Sequence, residues 1–184
     1  LWVVALRKSP CDAVTAPARP SRNAAAHRTS AGAVREATPS RSNSARASFA
    51  SGHVQRSADL FGKAADARHE DFQSPMLLAQ SLRMLGREAE GLDASREGLR
   101  RAERVLVLNP VDARALSLGS VHLFVDGQRA RAMAWSQRSL ELYPDDPGTL
   151  INGACLRAKA GLKEEALELL ERVLTIQADC EIGG

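Results

Sequence analysis

The chain has 184 residues, of which 44% are hydrophobic and 4% aromatic, and a formal charge of +3. This length provides for one domain and an additional segment. The charge is divided unevenly, because residues 1–57 carry nine Lys and Arg against two acidic residues, whereas residues 58–184 carry 16 basic and 20 acidic residues. No apolar run approaches the roughly 20 residues that span a membrane, and the acidic C-terminal part argues against nucleic acid as a partner.

Residues 1–56 are rich in Ala, Arg, Ser and Pro, and their few apolar side chains follow no period. Such a segment cannot bury enough apolar surface to offset its ordering entropy, which predicts a disordered basic tail. Three other interpretations stay open: an organelle transit peptide, a basic arm that binds nucleic acid, and GC-rich DNA read in an unintended frame. The absence of an initial methionine is expected of a fragment or of an unusual start codon.

Order is predicted to begin near Ser57. Residues 58–68 place apolar side chains at helical spacing, with Phe61 and Ala64 on one face. No first helix is evident before this segment, which predicts a half unit over residues 57–71.

A complete two-helix unit is predicted over residues 72–110. Ser74 is a plausible N-cap and Pro75 suits the first helical turn. Gly86 is placed to end the first helix in a left-handed conformation. The second helix is predicted over residues 87–108.

A pattern repeats between Asp112 and Ile176 at a fixed spacing of about 34 residues. In each unit an aspartate is placed to cap a first helix, and a glycine, Gly127 or Gly161, separates it from a second. A fixed period of this size indicates a solenoid of stacked helical units. The recurring pairs are Pro110 and Pro144, Asp112 and Asp146, Leu116 and Leu150, Gly119 and Gly153, Ala132 and Ala166, Arg138 and Arg172, and Leu140 and Leu174.

The second helix of the 72–110 unit contains seven additional residues. The turn glycines Gly86 and Gly127 lie farther apart by this amount than the closing prolines Pro110 and Pro144. Seven residues are close to two helical turns, so the apolar face is nearly preserved. Gly91 and Gly98 predict a weak helix, because each glycine costs about 1 kcal/mol relative to alanine.

The repeating unit resembles the tetratricopeptide repeat in its length, with a small residue early in the second helix (Ala132, Ala166) and a proline at its end (Pro144). It departs from the family at the tryptophan position, which is Leu116 or Leu150. The resemblance implies an all-α, tetratricopeptide-like α-α superhelix with a disordered N-terminal tail. The predicted divisions are a tail over 1–56 and a repeat domain over 57–184, comprising a half repeat (57–71), a repeat with a lengthened second helix (72–110) and two further repeats (111–144 and 145–178).

A narrower resemblance is to the C-terminal repeat region of bacterial multidomain signalling regulators, where the repeats follow a nucleotide-cyclase, kinase-like or DNA-binding module. It covers about residues 58–176 and none of an enzymatic part. It implies an alternative function, a detached regulatory or dimerisation fragment of a larger signalling enzyme. The segments that carry it are Leu77–Gln80, Leu85–Arg87, Glu103–Arg104, Asn109–Leu116 and Asn152–Cys155.

In the tetratricopeptide family the first helices line a concave groove that holds a peptide or a partner helix. The resemblance therefore implies a non-catalytic protein–protein interaction module. Of the clamp positions that bind a C-terminal carboxylate in some members, only Asn152 is retained, so this ligand is not expected. The groove residues predicted by register are Met76, Gln80, Arg83, Arg114, Ser117, Leu118, Val121, Val125, Ile151, Asn152, Cys155 and Lys159.

The last helix carries more apolar side chains than one repeat can bury. Solenoid arrays need a terminal unit with a polar outer face, and the few residues after Ile176 are too short to form a capping helix. Leu167, Leu170 and Leu174 are therefore predicted to form an exposed stacking surface through which the chain self-associates, or on which a longer natural protein continues.

No catalytic constellation, metal site or cofactor motif is evident, which predicts a protein that is not an enzyme. His122 is predicted to be a packed helix residue, because no ligand residue lies three or four positions away on its face. The three cysteines, Cys11, Cys155 and Cys180, are widely separated and lack a CxxC spacing. They indicate neither disulfides nor zinc and fit a reducing cytoplasm.

Overall fold

The computed structural model describes residues 41–182, and within this range the chain forms eight α-helices without a strand. The predicted all-α fold is confirmed. The helices are α1 (Arg41–Ala50), α2 (Val54–Ala67), α3 (Gln73–Met84), α4 (Glu88–Leu108), α5 (Ala113–Val125), α6 (Arg129–Leu142), α7 (Pro147–Ala160) and α8 (Lys163–Ile182).

The helices pack as four consecutive hairpins: α1–α2, α3–α4, α5–α6 and α7–α8. Each hairpin stacks on the next, because its second helix contacts the following first helix. The first helices α3, α5 and α7 also contact one another in sequence. This arrangement is a helical solenoid in which each hairpin buries its apolar surface against its neighbours.

The N-terminal boundary differs from the prediction. Residues 41–50, assigned to the tail, form the first helix of a complete hairpin, so the predicted half repeat at 57–71 is part of a full one. Ala45 and Phe49 of α1 are buried, and Ala45 packs in one cluster with Phe61 and Leu77. The prediction failed here because two buried side chains give no visible period. Residues 1–40 of the predicted tail lie outside the described part of the chain.

A glycine with positive φ lies in the turn of each hairpin: Gly52, Gly86, Gly127 and Gly161, with φ between 75° and 85°. A side chain is disfavoured in this region of φ, which makes glycine the suitable residue for the turn. The spacing from Gly52 to Gly86 equals that from Gly127 to Gly161. The period therefore already begins at Gly52, and the seven additional residues lie between the second and third turns.

Aspartates begin three of the first helices. The carboxylates of Asp112 and Asp146 accept hydrogen bonds from the third backbone N–H that follows, at 2.8 and 2.6 Å, as predicted. At α3 the structure differs, because the carboxylate of Asp71 accepts from the backbone N–H groups of Gln73 and Ser74. Ser74, the expected cap, is buried, and its hydroxyl donates to Asp71 at 2.6 Å.

Three apolar clusters form the core along the array. The small residues predicted at helix crossings, Ala132 and Ala166, are both buried. The central apolar cluster joins helices α3, α4, α5, α6 and α7. The C-terminal cluster, the last along the array, joins α7 and α8. The central cluster comprises Phe72, Met76, Leu99, Ala102, Ala115, Leu123, Ala132 and Leu156, and the last comprises Leu150, Ile151, Ala154, Leu169 and Val173.

The long helix α4 crosses α3 at two buried glycines. A methyl group on Gly98 would overlap Cγ of Met76 and would lie 3.2 Å from the carbonyl oxygen of Phe72. One on Gly91 would lie 3.0 Å from Cγ of Arg83. Both glycines thus allow the two helices to approach closely. They have a packing role in addition to the predicted weakening of the helix.

We expect Gly98→Ala to destabilise the protein and Gly62→Ala to stabilise it. Gly62 lies within α2, and a methyl group there would meet no atom within 4 Å, so the change should gain about 1 kcal/mol of helix propensity. At Gly98 overpacking costs about 1–3 kcal/mol and should outweigh that gain. Urea unfolding measures both free energies. Equal stabilisation by the two substitutions would contradict the close-approach role of Gly98.

The C-terminal helix is longer than predicted. The sequence pattern ended it at Ile176, whereas α8 continues through Ile182. The apolar pattern is absent from this extension, so spacing alone gave no sign of it. Leu169 and Val173 face the core, while Leu167, Leu170 and Leu174 are exposed by 59%, 41% and 65%.

Candidate functional site

Polar side chains join the first helices of neighbouring hairpins. Nη2 of Arg46 on α1 and Nη1 of Arg114 on α5 both donate to Oε1 of Gln73 on α3, at 3.0 and 3.3 Å. Nδ2 of Asn152 on α7 donates to Oγ of Ser117 on α5 at 3.4 Å. The four first helices therefore lie side by side. We call the surface that they form the first-helix face.

Four of the predicted groove residues are buried and cannot contact a partner without a rearrangement. Met76, Ser117, Val121 and Ile151 expose 8% or less of their surface. Met76 and Ile151 belong to the apolar core clusters. The prediction failed at these positions because a first helix contacts both the second helix of its own hairpin and that of the preceding one, so most of its circumference is covered.

The other eight predicted residues remain accessible. Gln80, Arg83, Leu118, Val125, Asn152 and Cys155 are half-buried, and Arg114 and Lys159 are exposed. They come from three successive first helices and combine apolar, amide and cationic side chains. This mixture provides apolar contact together with hydrogen-bond donors, as protein interfaces require.

Two residues of this face were not predicted. Arg46 lies on α1, which was assigned to the tail, and Gln73 lies at the start of α3, ahead of the predicted N-cap. The regular spacing from Gly52 to Gly86 was the signal that identifies α1 as a first helix.

Arg83 has an incompletely satisfied guanidinium group. Its Nη1 is buried and makes no hydrogen bond within the described residues. Burial lowers the pKa of Arg83, and the negative charge of Glu88 opposes this shift. A buried donor without a partner is costly, and this atom cannot contact a ligand without a rearrangement of its surroundings.

Ser95 and His122 form a buried pair between α4 and α5. Oγ of Ser95 lies 2.8 Å from Nδ1 of His122, and the two residues are 0% and 3% exposed. Burial, together with the smaller effect of the charge of Arg83, lowers the pKa of His122 from 6.5 to about 3. The distance suits a nucleophile and its base, but no substrate can reach the pair. His122 is a packed helix residue, as predicted.

A free thiol, that of Cys155, lies among the predicted groove residues of the described chain. Burial raises the pKa of the Cys155 thiol, which leaves it less nucleophilic at neutral pH. Within residues 41–182, no group of three or more His, Cys, Asp or Glu side chains is arranged to hold a metal ion. None of the described helices is long and apolar enough to cross a membrane.

Comparison with known proteins identifies only structural relatives. No family model and no curated protein matches the chain. Among solved structures, TTC0263, a tetratricopeptide-repeat protein of Thermus thermophilus, is similar at 16% identity with a TM-score of 0.52, over 74% of this chain and 72% of that one.

Two further structures match with lower scores. YrrB, described as a tetratricopeptide-repeat protein with an unusual peptide-binding site, is 17% identical with a TM-score of 0.38, over 76% of this chain and 86% of that one. A MamA protein is 12% identical with a TM-score of 0.41, over 74% of this chain and 96% of that one. The hairpin array and the similarity to TTC0263 show that this chain has a tetratricopeptide-like helical repeat fold.

Proposed function

We propose that the chain is a non-catalytic protein-interaction module that binds a protein segment on its first-helix face. The observation that carries this proposal is that three neighbouring first helices each contribute accessible side chains, among them Leu118, Val125 and Asn152. Apolar side chains beside amide and guanidinium donors suit an extended peptide or a helix, which offers both apolar groups and carbonyl oxygens.

Selection from a random peptide library displayed on phage tests this proposal. We expect enriched peptides whose binding weakens at least tenfold in the variant Val125→Lys, Asn152→Lys. The control variant Ala130→Lys, Ala134→Lys adds the same charge at exposed positions of α6 and should bind like wild type. Circular dichroism verifies that both variants fold. Failure to enrich any peptide, or equal losses in both variants, would count against this function.

A second candidate function, dimerisation of the chain, is favoured by the exposed leucines of α8. We propose that Leu167, Leu170 and Leu174 form a surface that joins two copies of the chain. A row of exposed aliphatic side chains along one helix is typical of an interaction surface. We also propose a cytoplasmic location, which the cysteine pattern favours.

We expect wild type to be dimeric and the variant Leu167→Glu, Leu170→Lys, Leu174→Gln to be a folded monomer, because the substitutions remove apolar surface without entering the core. Light scattering at high protein concentration measures the mass. The control Glu164→Gln, Glu168→Gln, Glu171→Gln changes exposed positions of α8 and should leave the mass unchanged. A monomeric wild type would refute the surface as an interface.

A further inference from the structure

Two arginines from different helices meet at one amide on the first-helix face. Arg46 of α1 and Arg114 of α5 donate to the same oxygen, Oε1 of Gln73 on α3. Gln73 thereby holds two like charges close together and fixes the direction of both guanidinium groups. The three residues come from three consecutive hairpins, so their arrangement depends on the stacking of the repeats.

Neither arginine pairs with a carboxylate of the described part of the chain. Within residues 41–182, no acidic side chain forms an ion pair with Arg46 or Arg114. Asp71 is the acid whose charge acts on Arg46, but its two carboxylate oxygens accept hydrogen bonds from the start of α3. The pair is therefore left with a neutral amide as its acceptor.

The buried arginines Arg101 and Arg157, by contrast, each pair with a carboxylate. Arg101 pairs with Glu97 at 2.6 Å, and Arg157 pairs with Glu165 at 3.0 Å. Burial and the neighbouring charge of Arg114 lower the pKa of Arg46, and Asp71 opposes this only in part. An anion placed between Arg46 and Arg114 would offset both effects, since opposite charge favours the protonated guanidinium.

We propose that Arg46, Gln73 and Arg114 form a subsite that binds the carboxylate of an acidic side chain in the partner segment. This inference rests on the proposed function and adds to it a preference for Asp or Glu in the bound segment. Both guanidinium groups can donate hydrogen bonds to the same carboxylate, and such charged hydrogen bonds are strong and directional. Nucleic acid is the less favoured occupant, because residues 41–182 carry 19 basic and 20 acidic residues and so lack the net positive charge that is typical of nucleic-acid-binding domains.

Nuclear magnetic resonance of the full chain tests the subsite. The probe is N-acetyl-glutamate N-methylamide, and its uncharged control is the corresponding glutamine compound. We expect the Nε–H signals of Arg46 and Arg114 to shift saturably with the glutamate probe and at least fivefold less with the glutamine probe. In Arg114→Gln, an exposed substitution, the affinity measured at Arg46 should fall at least fivefold. The Nε–H signal of the exposed Arg138 on α6 is the internal control, because a shift there would report non-specific association of the probe with arginine.

Equal shifts with both probes, equal shifts at Arg138, or no saturation at tens of millimolar would overturn the subsite. Stronger saturation by a single-stranded oligonucleotide than by the glutamate probe would also overturn it. These results leave the proposed function standing, because the probes lack the apolar groups that the peptide library provides. Conversely, failure of the peptide selection would not remove a carboxylate site detected with the small probe.

Discussion

Lowering the pH from 6.5 to 4.5 should destabilise the folded chain by about 2–3 kcal/mol through His122 alone, at 1.36 kcal/mol per pH unit for one proton. The buried ring has a pKa of about 3 in the folded chain, against 6.5 ordinarily. Between these two pKa values the unfolded chain therefore binds a proton at His122, whereas the folded chain does not. The stability that His122 contributes is fully present above pH 6.5 and is lost as the pH falls toward 3.

The groups that face His122 explain the direction of this effect. Ser95 on α4 offers one hydrogen bond to Nδ1, and Arg83 on α3 adds a positive charge that opposes protonation. Glu97 and Asp126 have pKa values lowered by hydrogen bonds, mainly to Arg101 and to Gln128 respectively. The stability that these two carboxylates contribute is lost at acidic pH in wild type and in a His122 variant alike, so it cancels in their difference.

Urea unfolding of wild type and His122→Gln between pH 4.5 and 7.5 measures this contribution. Glutamine is uncharged throughout this range, so the unfolding free energy of the variant should lose the pH dependence that one bound proton causes. The exposed His53 and His69 are present in both proteins, so their contributions cancel in the difference. Parallel stability curves for the two proteins would show that His122 becomes protonated in the folded state.

The elements that could be predicted from the sequence are those set by local chemistry. Asp112 and Asp146 cap their helices through hydrogen bonds that span three residues, and the turn glycines adopt positive φ within their own loops. These features depend on neighbouring residues only, and they recur at a fixed spacing. The helical solenoid follows from them without knowledge of any distant contact.

Helix α1 could not be predicted in the same way. Its residues show little amphipathic pattern, and its order depends on packing against residues far along the chain, Phe61 and Leu77. A helix with few apolar side chains is stabilised by tertiary contacts more than by its own propensity. The spacing of Gly52 from Gly86 indicated the hairpin, but only in combination with the later repeats.

The candidate site was predicted only in part. The spacing of residues predicts that a helix forms more accurately than it predicts which side of that helix is accessible. A shift of one residue rotates a side chain by about 100°. Leu118 is accessible on α5, whereas its neighbour Ser117 and the more distant Val121 are buried. The Arg46–Gln73–Arg114 contact joins three hairpins, and no local pattern reports such an arrangement.

Replacing Arg101 by methionine should destabilise the chain by about 3 kcal/mol, the typical cost of breaking a buried hydrogen-bonded charge pair. Arg101 on α4 is 6% exposed. Its Nη1 lies within hydrogen-bonding distance of the carbonyl oxygens of Ala65, Arg68 and Asp71, at 3.0, 2.8 and 3.1 Å. One guanidinium group thus satisfies acceptors at the end of α2 and in the turn before α3.

The position of Arg101 explains why this loss should be large. The last carbonyl groups of a helix lack partners within it, and a cation near this end also interacts favourably with the helix dipole. Methionine would leave the carbonyl oxygens without their donor. It would also remove one of the two arginine partners of Glu97, whose Oε1 accepts from Nε of Arg101 at 2.6 Å. The contact between the α1–α2 and α3–α4 hairpins should weaken accordingly.

Arg100→Met is the matched control, because Arg100 pairs with the same carboxylate, Glu97, but its side chain is 65% exposed. An exposed ion pair contributes about 0–1 kcal/mol, so this variant should unfold close to wild type. Arg101→Lys should lie between them, since lysine keeps the charge but lacks the planar group that reaches several oxygens. Urea unfolding at pH 7 ranks the three variants. Equal stability of Arg100→Met and Arg101→Met would show that the buried carbonyl contacts of Arg101 contribute nothing to the stacking of the hairpins.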